Sequence, residues 1–107
     1  MKSFINIILC IFILFSFSIR SEDIPYLLTA SSKGDIESVK AIIDSGGNPN
    51  TEDGNKVTAL MYASRKNQVE VVRYLISKGA EVNKQEIDGW TALMYASKNN
   101  YSGVVEV

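Results

Sequence analysis

The sequence predicts an all-α solenoid of stacked helix-turn-helix units with finger-like turns, in about two and a half copies. Three observations predict it. Thr58-Ala59-Leu60-Met61-Tyr62-Ala63-Ser64 recurs unchanged as Thr91-Ala92-Leu93-Met94-Tyr95-Ala96-Ser97, an offset of 33 residues. The same offset pairs Leu27 with Leu60, Ala30 with Ala63, Glu37 with Glu70, Val39 with Val72, Ile43 with Ile76, Gly46 with Gly79 and Asn50 with Asn83, which adds a degenerate first copy. Finally, the apolar residues of each copy fall at helical spacing, and a helix pair this short cannot bury its own stripe, so the copies must stack.

Residues 1–18 come first, as an address rather than a structural unit. Met1-Lys2-Ser3 gives a positive start, and the run Phe4 to Phe17 is apolar apart from Asn6 and Ser16. This is the layout of a signal peptide of bacterial type. Ser16 and Ser18 meet the small-residue rule for cleavage after Ser18, and Ser21 offers a later site. The run is shorter than the roughly 20 residues a spanning helix needs, so cleavage is the expectation and an uncleaved anchor the alternative. Cys10 lies mid-run after Ile7-Ile8-Leu9, which does not suit lipidation. Residues 19–24 read as a short linker.

The first copy, 25–57, has Pro25 where the others have threonine and Ser38 where the second has Val71, as expected of a terminal unit facing solvent. In the second copy, 58–90, Thr58 is placed to N-cap a short helix carrying Leu60, Met61 and Ala63. A polar turn, Arg65 to Gln68, leads to a second helix whose stripe is Val69, Val72, Leu75 and Ile76, with Glu70, Arg73 and Lys78 left for water. Gly79 stops that helix, as Gly46 stops its predecessor. Asn50 with Asp53-Gly54, and Asn83 with Asp88-Gly89, mark the extended turns between copies. The third copy, 91–107, repeats the first helix under Thr91. Its second helix has only begun at Ser102-Gly103-Val104-Val105-Glu106 when the sequence stops at Val107, so the expectation is a truncated copy from a longer array, marginally stable as it stands.

Composition narrows the chemistry. Eleven basic residues against 12 acidic ones give a net charge of −1, which offers no field to draw nucleic acid. Loss of residues 1–18 removes only Lys2 and leaves the chain mildly acidic. The absence of histidine removes the commonest general base and metal ligand. With Cys10 the single cysteine, the repeats form neither a disulfide nor a thiolate metal site. The acids Glu52-Asp53 and Glu86 with Asp88 lack the ligand spacing of a calcium loop and read as solubilising the fingers. No nucleophile, paired carboxylate or phosphate loop stands out, so no catalytic residue, cofactor or metal is expected.

Together these residues resemble the ankyrin repeat, whose period and Thr-Pro-Leu-His-x-Ala signature correspond to Thr91-Ala92-Leu93-Met94-Tyr95-Ala96. Gly79-Ala80-Glu81-Val82-Asn83 is similar to the family's Gly-Ala-x-Val-Asn, and Asp88-Gly89-Trp90-Thr91 to its Asp-Gly-x-Thr. The likeness covers roughly residues 25 to 107. The departures are Ala59 and Ala92 for proline, and Met61 and Met94 for the histidine that usually links to the capping threonine, so some rigidity at the helix start is expected to be lost.

The resemblance implies a monomeric array that binds a protein partner along a concave face of finger tips and first helices. The candidates it implies are Asn55, Val57, Arg65 and Lys66 in the second copy, and Ile87, Asp88, Trp90, Lys98 and Asn99 at the third, all exposed by analogy. Trp90 leads, since tryptophan is enriched at binding hot spots; the competing reading is that it packs over the neighbouring finger. Arg65-Lys66 suits either an acidic partner or a solvated helix end. Tyr62 and Tyr95 read as half-buried between copies with their hydroxyls outward. The functional expectation is an exported protein, periplasmic or secreted, acting as a protein-binding module. The alternative is a membrane-tethered scaffold held by residues 4–19.

Overall fold

The computed structural model describes residues 24–100 and 102–105. The signal-peptide expectation for residues 1–18 and most of the 19–24 linker lie outside the described residues. Six helices follow in order: α1 Tyr26–Lys33, α2 Ile36–Asp44, α3 Ala59–Arg65, α4 Val69–Ser77, α5 Ala92–Lys98 and α6 Ser102–Val105. The first helices of each copy, α1, α3 and α5, pack side by side in one layer, and α2, α4 and α6 form the second. Among the described residues there is no strand, only an isolated antiparallel bridge between Glu52 and Thr58 at the base of a finger. No helix of the described residues is long and apolar enough to cross a membrane.

The helix boundaries follow from local chemistry. The hydroxyl of Thr58 accepts from the Met61 N–H at 3.3 Å, and that of Thr91 from the Met94 N–H at 3.2 Å, which starts α3 and α5 where the threonines predict. The Met61 thioether accepts from the Thr58 N–H at 3.4 Å and completes a capping box. The second copy therefore keeps, in a weak sulfur acceptor, some of the rigidity expected to be lost. Asp35 caps α2 by accepting both the N–H and the hydroxyl of Ser38, at 3.2 and 2.6 Å. Ser38 is thus part of a cap as well as half-exposed.

Gly46 and Gly79 take left-handed φ values of 100 and 93. The bonds Gly79 N–H to Ile76 carbonyl and Ala80 N–H to Leu75 carbonyl then close α4 with the two reversed bonds of a Schellman motif. α2 ends the same way, through Gly46 to Ile43 and Gly47 to Ile42. In the stripe of α4, Val71 is buried with Val72 and Leu75, and Val69 and Ile76 pack half-buried against the core.

One continuous core runs through the layers, from Leu27, Leu28 and Val39 through Leu60, Met61 and Leu75 to Ala92, Ala96 and Val104. Polar bonds join one copy to the next. The Gln68 amide donates to the Ser32 carbonyl at 2.9 Å, and Asn50 accepts from the Glu81 N–H at 2.7 Å and donates to the Gly79 carbonyl. Each of these bonds joins adjacent copies, as a linear array requires.

Candidate functional site

The fingers are built around one buried or half-buried carboxylate apiece. In the first, Asp53 Oδ1 accepts the N–H groups of Asn55 and Val57, at 2.8 and 3.0 Å, and Oδ2 accepts the Tyr62 hydroxyl at 2.7 Å. In the second, Glu86 Oε1 accepts the N–H groups of Asp88 and Trp90, at 2.7 and 3.0 Å, and Oε2 accepts the Tyr95 hydroxyl at 3.4 Å. The same device thus recurs 33 residues on, pinning each finger to the first helix of the copy that follows. Glu86 is only 8% exposed. Asp53 and Glu86 therefore hold the fingers together, which corrects the view of them as solubilising charges. The tyrosine hydroxyls turn to these carboxylates rather than outward.

The fingers are also joined to each other. The Ile87 N–H donates to the Asn55 carbonyl at 3.0 Å, and Lys84 Nζ lies 3.0 Å from a Glu52 carboxylate oxygen. The turn geometry differs from expectation in one respect. The counterpart of Gly89, at φ 87, is Lys56, at φ 65, and not Gly54. Asp53 occupies the place of Glu86, so the Asp53-Gly54 pair does not match Asp88-Gly89.

Against this frame lies a row of alternating rings and cations on the finger side of the first helices. The Arg65 guanidinium carbon sits 5.7 Å from the Tyr62 ring centre and 5.5 Å from that of Tyr95. Tyr95 stacks on Trp90 with centroids 5.2 Å apart at a 35° tilt, and Lys98 Nζ lies 5.3 Å from the centre of the Trp90 ring. Such cation-ring contacts hold a charge in place without neutralising it.

Charge and burial couple the row to the fingers. Partial burial acts to raise the Asp53 carboxyl, but hydrogen bonds from Tyr62, Val57 and Asn55, helped by the Arg65 charge, hold it below its ordinary value. Burial, then the bond to Asp53, pushes the Tyr62 hydroxyl up to about 12. The Tyr95 hydroxyl is raised by burial and by the nearby Glu86 charge.

The structure brings together Arg65, Trp90 and Lys98 from the expected residues, and adds Tyr62 and Tyr95. Trp90 is half-buried on Tyr95, so packing on the helix that follows it accounts for part of its surface. Lys66 and Asn99 are exposed at the ends of α3 and α5, where the Asn99 amide donates to the Arg65 carbonyl at 3.4 Å. Asn55, Ile87 and Asp88 form exposed finger tips, Ile87 being 66% exposed. Val57 is corrected: at 6% exposure it belongs to the core beneath the fingers, because the Asp53 staple draws its backbone inward. The tyrosines were legible from the repeated Met-Tyr-Ala. The carboxylates were signalled only by the offset that pairs Asp53 with Glu86.

A family model described as ankyrin repeats, in three copies, matches residues 27–107. No curated protein matches the chain.

Proposed function

Since the chain belongs to the ankyrin-repeat family, whose members generally serve as protein-protein interaction modules, we propose that it is a non-catalytic module that binds a protein partner through the finger side of its first helices. The row Tyr62, Arg65, Tyr95, Trp90 and Lys98 carries this reading. Aromatic and arginine side chains held in fixed positions lose little conformational freedom on binding, which is why such residues dominate binding energy at interfaces. The stapled fingers supply the rigidity.

The test is capture of a partner by the full-length protein, with Trp90→Ala as the probe. Trp90 lies outside the buried core, so the variant is expected to fold and to lose capture by tenfold or more, on the order of 1.4 kcal/mol or above. Capture unchanged by Trp90→Ala and by Arg65→Ala together would remove this face from consideration.

Export is part of the same proposal. The apolar run after Lys2 supports delivery to a periplasmic or extracellular location with residues 1–18 removed. Protein sequencing and mass from the native host decide it: a mature chain starting at Ile19 or Glu22 is expected, and one retaining Met1 points to the tethered scaffold.

A further inference from the structure

We propose that the partner segment bound by this face is acidic, an extended peptide that places one Asp or Glu carboxylate on the Arg65 guanidinium. This rests on the binding face proposed above and names the chemistry it selects. Arg65 is exposed, yet its charged head is flanked by the rings of Tyr62 and Tyr95. Among the described residues the one ion pair is Lys84 with Glu52, and no carboxylate pairs with Arg65. Its nearest acidic neighbours are already committed, Asp53 to Tyr62 and the finger backbone, and Glu86 to Tyr95 and the second finger. What remains is a planar five-donor fork set beside two rings, with no hydrogen bond from it among the described residues. That geometry fits a carboxylate through two parallel bonds.

Charge around the fork points the same way. Lys33, Lys66 and Lys98 stand at or next to the C-terminal ends of α1, α3 and α5, all exposed and none in an ion pair among the described residues. Lys98 holds in α5 the place that Arg65 holds in α3, 33 residues earlier, and Lys66 follows Arg65 directly in the sequence, so basic residues gather at these helix ends in a chain whose net charge is −1. The fingers beside them carry Asp53, Glu86 and Asp88. A polyanion such as nucleic acid would run its phosphates against those acids, whereas a peptide with one carboxylate beside uncharged residues meets the fork and the Trp90 ring without that conflict.

The experiment selects displayed random dodecapeptides on the full-length protein in detergent solution, in parallel with Arg65→Gln and Trp90→Ala. The expected wild-type pool is enriched in Asp or Glu at one position, and the Arg65→Gln pool loses that enrichment. A selected peptide resynthesised with Asn or Gln at the acidic position is expected to bind wild type about tenfold more weakly by fluorescence polarisation. Against Arg65→Gln the two peptides should bind alike, since the bond they differ in is already gone. Arg65→Lys should recover only part of the loss, because an ammonium cannot make the paired bonds.

Selected peptides with no acidic preference that still depend on Trp90 overturn the inference and leave the binding face standing. Pools indifferent to both variants overturn both. Displacement of the peptide by millimolar inorganic phosphate, with no penalty for the acid-to-amide change, overturns the carboxylate in favour of a phosphate ligand.

Discussion

Ser31 and Ser64 occupy the same place in successive copies, yet their hydroxyls fare differently. Ser31 donates to the Leu27 carbonyl at 2.7 Å, and the Ser64 hydroxyl is buried with no partner among the described residues, on the wall of a cavity it lines with Leu60, Val72 and Ala92. A buried polar group without a bond carries its desolvation cost uncompensated. Ser64→Ala is therefore expected to stabilise by about 1 kcal/mol, and Ser31→Ala to be neutral or destabilising, read as opposite shifts of the urea midpoint at constant slope. Lys56 makes the same kind of point about backbone. It holds a left-handed φ of 65 where the next finger has Gly89. Lys56→Gly should raise stability by up to about 1 kcal/mol, and Gly89→Lys lower it similarly; no change in either would mean the finger relaxes around the side chain. Neither residue was legible in the sequence. A serine inside a repeated heptad gives no sign of where its hydroxyl points, and the Asp-Gly pair at 53–54 drew the turn two residues too early.

At the scale of elements, the helices were legible and the fingers much less so. Helix limits follow from Thr58, Thr91, Gly46 and Gly79, each acting on its nearest neighbours. A finger is organised by a carboxylate reaching a tyrosine nine residues on, and this long reach has no local pattern. It also differs in chemistry between copies, Asp53 in one and Glu86 in the other. The staple makes a prediction about pH. Asp53 lies below its ordinary value of 3.8, so its contribution is complete above that value and is lost as pH falls through the lower folded one. Between about pH 4 and pH 2 wild type should lose stability faster than Asp53→Asn. At the alkaline end the sign reverses. Tyr62, raised from 10.0 to about 12, contributes fully below 10.0 and fails as pH passes about 12, a loss that Tyr62→Phe should not show. Parallel acid curves for wild type and Asp53→Asn would mean that the carboxylate bonds persist when protonated.

Across the whole molecule, burial is distributed unevenly along the array. The middle helices α3 and α4 are covered on both sides, so that Leu60, Met61 and Leu75 are all fully buried or nearly so. In α5, the equivalent of Leu60 is Leu93, which is 54% exposed, and Met94 is exposed where Met61 is enclosed. Identical heptads thus have different fates, which the sequence cannot announce because burial is conferred by the neighbouring copy. Around Leu93 a cavity of about 260 Å³ opens between α3, α4, α5 and α6, lined by Leu60, Val72, Ile76, Ala92, Val104 and Val105. Stability in such an array is a sum of unit and interface contributions, so a helix with one covered face opens more readily than one with two. Amide hydrogen exchange should therefore show greatest protection in α3 and α4 and least in α5 and α6, with the Asn55–Ile87 backbone bond between fingers exchanging at the α5 rate. If all helices exchange together at a single rate, the copies unfold as one cooperative body and the nearest-neighbour description fails for this chain. If protection instead falls steadily from α1 to α6, packing against the first copy, and not cover on both sides, sets the order of opening.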